Sequence, residues 1–173
     1  PEIVLETYRS ALRTYLSVDP PQREKAEGMM AALDKFVASQ QGGEAAKQLT
    51  DVYLGIGVQL QRQMKELTAY GHAEKAEQVA AAFGDLLDRV AARPDADTWR
   101  IRTWLAQTNL QIGQGLSGDA AEAYITRAKE SYEAIVAAAE KDENYAPDVD
   151  ALLAVRMKLG ECLAAQGEFK QAI

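Results

Sequence analysis

The chain has 173 residues, 47% apolar and 26% charged, which is enough for a folded domain with a substantial core. Its formal net charge of −7 at pH 7, from 26 acidic and 19 basic residues, repels phosphate backbones and excludes nucleic acid as the expected partner. No run approaches the roughly 18 consecutive apolar residues of a spanning helix, so no membrane insertion is expected, and the single cysteine, Cys162, excludes an internal disulfide while leaving the redox compartment open.

Apolar residues at three- and four-residue spacing mark helices from end to end. The first is predicted from Glu2 to Leu16, with Val4, Leu5, Tyr8, Leu12, Tyr15 and Leu16 as its stripe. It ends at Ser17-Val18-Asp19-Pro20-Pro21, where Asp19 is placed to cap the next helix and Pro20 to open it. The second carries Met29, Met30, Leu33, Phe36 and Val37 and stops before Gly42-Gly43. The third is long, from Leu49 through Tyr53 and Leu60 to Leu67, and stops at Tyr70-Gly71. The fourth carries Ala76, Val79, Ala80, Phe83, Leu86, Leu87 and Val90, and stops at Arg93-Pro94.

The fifth opens near Asp97-Thr98 and carries Ile101, Trp104, Leu105, Leu110 and Ile112. A glycine-rich loop, Gly113 to Gly118, is expected to follow it. Asp119 with Glu122 is placed to cap the sixth, which carries Tyr124, Ala128, Tyr132, Ile135 and Val136. Asn144-Tyr145-Ala146-Pro147 breaks it. The seventh carries Val149, Leu152, Leu153, Val155, Leu159 and Leu163 and ends at Gly167. An eighth is expected to begin at Glu168. Abundant alanine and scarce β-branched runs favour packed helices over a sheet. The short turns pair sequential helices as antiparallel hairpins.

Leu159-Gly160, then Leu163, Gly167, Phe169, Ala172 and Ile173 resemble the tetratricopeptide pattern, in which a small residue after the leucine lets two helices cross closely. Weaker echoes are Leu54-Gly55 with Val58, Gly71 and Ala76, and Leu105-Ala106 with Gly113, Ala128 and Tyr132. The small residues at 55, 106 and 160 recur about every 50 residues, against the family's usual period of about 34, so the resemblance is to a divergent, long-helix form. It implies an all-α fold of antiparallel helical hairpins stacked as a right-handed α-solenoid, with about 7–8 helices. The chain 1–173 is then a single α-solenoid fragment. It starts at Pro1 and stops within a helix, so it is expected to be part of a longer chain continuing past the C-terminus.

Few residues could carry chemistry. One histidine, His72, and one cysteine cannot supply a usual zinc site or a di-iron bundle, so no metal and no cofactor are expected. His72 reads as a solvated or capping residue, and Cys162, with no histidine on its helix, as a buried thiol. Gly113-Gln114-Gly115 lacks the lysine of a phosphate loop. Glu140, Asp142 and Glu143 read as solvated surface, and Asp142-Glu143-Asn144 is too short for an EF-hand loop. With no nucleophile, base and orienting group in one place, the chain is expected not to be an enzyme.

One segment stands apart. Trp99-Arg100-Ile101-Arg102-Thr103-Trp104 holds both tryptophans and two arginines, the types enriched at binding hot spots. The bland alternative is that Trp104 packs between hairpins and Trp99 covers a helix start. By the resemblance, Tyr53, Arg100, Trp104, Gln107 and Gln111 face the concave side, where such arrays hold a peptide or helix of another protein. Where chaperone-carboxylate binders of the family place lysine and asparagine, this chain has Val52, Ile56, Thr103 and Met157, so that activity is not implied. The expected function is a protein–protein interaction scaffold with a protein or peptide partner. Self-association within a larger protein is the alternative.

Overall fold

A computed structural model describes residues 2–39, 43–93 and 95–168, with side chains for 3–39, 47–93 and 95–168. Seven α-helices run through them: α1 (Glu2–Ser17), α2 (Arg23–Ala38), α3 (Gly43–Ala69), α4 (Ala73–Ala91), α5 (Trp99–Gly115), α6 (Gly118–Lys141) and α7 (Val149–Ala165). No strand occurs among the described residues, and none of their helices is long and apolar enough to cross a membrane. The expected eighth helix, beyond Glu168, lies outside the described residues. The helices gather into two compact units, Pro1–Asp95 and Ala96–Ile173.

In the first unit α1 packs on α2, α3 on α4, and α1 and α2 each on α3. Leu12, Leu16, Met30, Leu33, Leu49, Tyr53, Leu60, Phe83, Leu86 and Leu87 fill its interior. The stripe read for α4 is buried from Ala76 to Val90, because a regular apolar face has only one way to leave water. Gly71 ends α3 with φ +72°, which residues with a Cβ adopt only at a cost. Its N–H donates to the Thr68 carbonyl (3.1 Å) and that of His72 to the Leu67 carbonyl (2.9 Å), the double closure of a Schellman end.

Two expectations for this unit are corrected. Asp19 does not cap α2, which starts at Arg23 after Gln22; its carboxylate instead pairs with Lys75 at the start of α4. Gly55 and Val58, which echo a close crossing, face outward. Gly55 has open space around it and Val58 is 47% exposed.

In the second unit α5 packs on α6, α6 on α7, and α5 touches α7. Ala106, Leu110, Ala128, Tyr132, Ile135, Val155 and Cys162 form its core, with Trp99, Ile125, Val136, Tyr145 and Leu159 against it. Thr98 caps α5 by accepting from the Ile101 N–H (3.4 Å), and Asp148 caps α7 by accepting from the Ala151 N–H (2.7 Å). Gly167, at φ +78°, repeats the closure seen at Gly71: Glu168 N–H donates to the Leu163 carbonyl at 2.8 Å. Between α6 and α7 with the turn that follows it, Glu140 lies 3.8 Å from Arg156, Lys129 lies 2.9 Å from Glu168, and Gln166 donates to Thr126 (2.7 Å).

Here too the sequence reading needs correction. Gly113 is not in a loop but inside α5, buried against α6. A Cβ there would sit 2.6 Å from Ile125 Cγ1 and 3.0 Å from the Ala121 carbonyl oxygen, so the helices approach as they do only because the side chain is missing. Asp119 falls in the first turn of α6, after an N-cap at Ser117. On α7, Val149 is 81% and Leu153 54% exposed, with Met157 alongside at 64%. The buried face runs through Val155, Cys162 and Leu163 instead. α7 is apolar on most of its circumference, so periodicity alone does not select its inner face.

Candidate binding groove

In the first unit α2 and α4 flank a groove of about 980 Å³. Arg23, Glu24, Glu27, Met30, Asp34 and Val37 recur at helical spacing and give α2 one continuous wall. Asp85, Asp88 and Arg89 of α4, with Ala92 just after it, give the other, and Arg93, Asp95 and, from α3, Leu49 close one end. Long side chains rather than backbone proximity join the walls. Arg23 grips Asp85 with two hydrogen bonds, of 2.8 and 2.9 Å. Farther along, Arg89 donates to Asp34 (2.5 Å).

Beneath this end lies a connected polar network. The Tyr53 hydroxyl donates to Asp34 Oδ1 at 3.0 Å. Arg93 donates to Asp95 (3.0 Å) and Thr50 (3.1 Å), and Thr50 donates to the other Asp95 oxygen at 2.6 Å. The Arg93 guanidinium also sits 5.9 Å from the centre of the Tyr53 ring. Burial, and then the Asp34 carboxylate, push the Tyr53 phenol far above its ordinary value, so it stays a neutral donor. Burial works to raise Asp95, but hydrogen bonds from Thr50 and Arg93 together with the Arg93 charge outweigh it and hold the carboxyl below its usual range.

The expected placement of Tyr53 on an open concave surface is therefore corrected: Tyr53 has no exposed surface. Its ring is core, and only its hydroxyl reaches the groove, through Asp34. That division suits an amphipathic side chain with an apolar body and a polar tip.

The other four candidates lie in the second unit and share one stripe of α5. Arg100, Gln107 and Gln111 are exposed and Trp104 is half-buried. The second tryptophan does not join them. Trp99 packs edge-on against Tyr145 at 5.8 Å, and Arg102 lies over the same ring while pairing with Asp97 at 2.5 Å.

The residues considered for chemistry are scattered. His72 is exposed at the start of α4 without making a side-chain cap bond. Cys162 has no exposed surface, and burial pushes its thiol up to about 11, which suppresses the nucleophilic thiolate. Glu140, Asp142 and Glu143 are exposed, and Asp142 accepts the Asn144 N–H (3.0 Å) in a local turn. Among the described residues no three histidine, cysteine, aspartate or glutamate side chains converge as metal ligands would.

Comparison of the chain with protein-family models, curated proteins and solved structures gives no match.

Sequence reasoning missed the groove. Read alone, the charges of α2 and α4 look like two solvated faces. The one available signal was Arg89 and Arg93 four residues apart beside Asp85 and Asp88, a pattern too common on exposed helices to single out.

Proposed function

We propose that this chain is a non-catalytic protein-interaction module, a scaffold of tetratricopeptide-like hairpins that receives a peptide or helix of another protein. The observation that carries this reading is the α2–α4 groove: open to water, of a size for several side chains, with walls joined by ion pairs and seated on a packed apolar core. Preformed walls lower the ordering cost of binding. The packing order supports the hairpin part of the reading. In the first unit α1 pairs with α2, α3 pairs with α4, and α3 stacks on both members of the first pair. Along α6 and α7 the contacts run in opposite order, 140 with 156 and 126 with 166, as in an antiparallel hairpin. A right-handed α-solenoid extends that pattern. The α5 stripe of Arg100, Trp104, Gln107 and Gln111 is a second surface open to a partner.

Selection of a displayed peptide library against the chain tests the proposal. Ala92→Trp narrows the groove, and Trp104→Ala with Gln107→Ala removes the α5 stripe. Peptides whose binding is lost with one of these variants support the reading and assign the surface. Recovery of no peptides, or only of peptides indifferent to both, refutes it.

Self-association is a second reading, favoured by one feature. Val149, Leu153 and Met157 recur every four residues as an exposed apolar row on α7. Light scattering decides it: a multiple of the chain mass that Leu153→Glu reduces to a single copy supports it, and a single copy at all concentrations rejects it.

A further inference from the structure

The groove's charge says what kind of segment it suits. Six carboxylates line it, those of Glu24, Glu27, Asp34, Asp85, Asp88 and Asp95, against three guanidiniums, those of Arg23, Arg89 and Arg93. The guanidiniums are already engaged: Arg23 by Asp85, Arg89 by Asp34, and Arg93 by Asp95 and Thr50. The excess is negative, and Glu24 and Glu27 carry it exposed on α2. An incoming anion adds to that repulsion, whereas a cation between the walls relieves it. The groove is not purely polar. Met30, Val37 and Leu49 lie at its base, and the small side chains of Ala38 and Ala92 leave width at one end.

Resting on the interaction-module reading, we propose that the α2–α4 groove binds a basic segment of a partner protein, with arginine or lysine side chains on the carboxylates of Glu24 and Glu27 and apolar side chains toward Val37 and Ala38. Guanidinium groups suit the site because a carboxylate accepts their paired donors, the geometry Arg23 already uses on Asp85. The attraction is between exposed groups, so it is screened by salt and acts mainly on the association rate.

Fluorescence anisotropy tests this with a labelled pool of short peptides rich in arginine, lysine and leucine, and with matched pools carrying glutamate or serine in place of the basic residues. The basic pool should bind saturably, and its affinity should fall about tenfold or more as salt rises past the physiological level. Glu24→Lys with Glu27→Lys should weaken it by about tenfold and shift preference toward the glutamate pool. The same charge change outside the groove, Glu66→Lys with Glu74→Lys, should alter it by no more than about twofold. All four positions are exposed, and circular dichroism checks that both variants stay folded.

Equal losses in the two variants mean general attraction to an acidic protein, and overturn the assignment. Binding of spermine as tight as that of the peptides also overturns it, because the groove then reads amines rather than a protein segment. Binding of the serine pool without the basic pool overturns the charge argument and leaves the interaction module standing. If no pool binds and library selection also recovers nothing, both fall.

Discussion

In the first unit α2 and α4 are tied across open space by arginine–aspartate pairs, Arg23 with Asp85 and Arg89 with Asp34. In the second, α5 and α6 meet so closely at Gly113 that a single methyl group would strike Ile125 and the α6 backbone. The two joints leave different remainders. A long ion pair holds helices at a distance and keeps an open groove between them. A missing side chain lets backbones touch and leaves no room. The candidate site lies where helices are joined by reach, and the seam joined by absence is purely structural. The ion pairs are partly exposed and individually weak, so the groove's rigidity rests on the apolar packing below it.

The largest effect sharpens that contrast from the core side. Tyr132 is 2% exposed in the heart of the second unit, and Tyr132→Ala should cost about 3–5 kcal/mol, read by denaturant unfolding. A loss below 1 kcal/mol would contradict its place in the core. Gly113→Ala should come next, at about 1–3 kcal/mol. In an open helix the same change would add about 1 kcal/mol of stability, so the sign alone tests the crossing. Trp104→Ala, on the half-buried α5 stripe, should cost about 1–2 kcal/mol, short of the 3–5 of a core aromatic. A full-sized loss would remove Trp104 from the list of available surface residues.

Asp34→Ala tests the groove wall. It leaves the Tyr53 hydroxyl and Arg89 without their shared acceptor, and should cost about 1 kcal/mol because water replaces part of what is lost. The smallest effect is a pH dependence. The Asp95 carboxyl is held below its unfolded value, so its contribution is complete above that value and fades as pH falls through the lower, folded one. Melting temperature measured down through the acidic range should drop less steeply in Asp95→Asn than in the natural chain. Identical slopes would mean the Thr50–Arg93–Asp95 bonds contribute nothing.

The sequence by itself determined the helices and most of their ends. Gly71 and Gly167 stop α3 and α7, Thr98 caps α5, and the α4 stripe from Ala76 to Val90 is buried as written, because capping and amphipathic periodicity are local properties, legible within a turn or two of chain. Four of the five proposed binding residues sit on one accessible stripe of α5 for the same reason: the positions 100, 104, 107 and 111 share a helix face whatever surrounds it. Only the tertiary structure decided which face meets which neighbour. It buried Tyr53, put Gly113 into a crossing instead of a loop, sent Asp19 to Lys75, and left Val149, Leu153 and Met157 of α7 in water. It also joined Asp34 to Arg89 and Arg23 to Asp85, partners 55 and 62 residues apart. A groove between two helices is a property of their spacing, and spacing is set by the helix packed beneath them, which no window along either sequence contains.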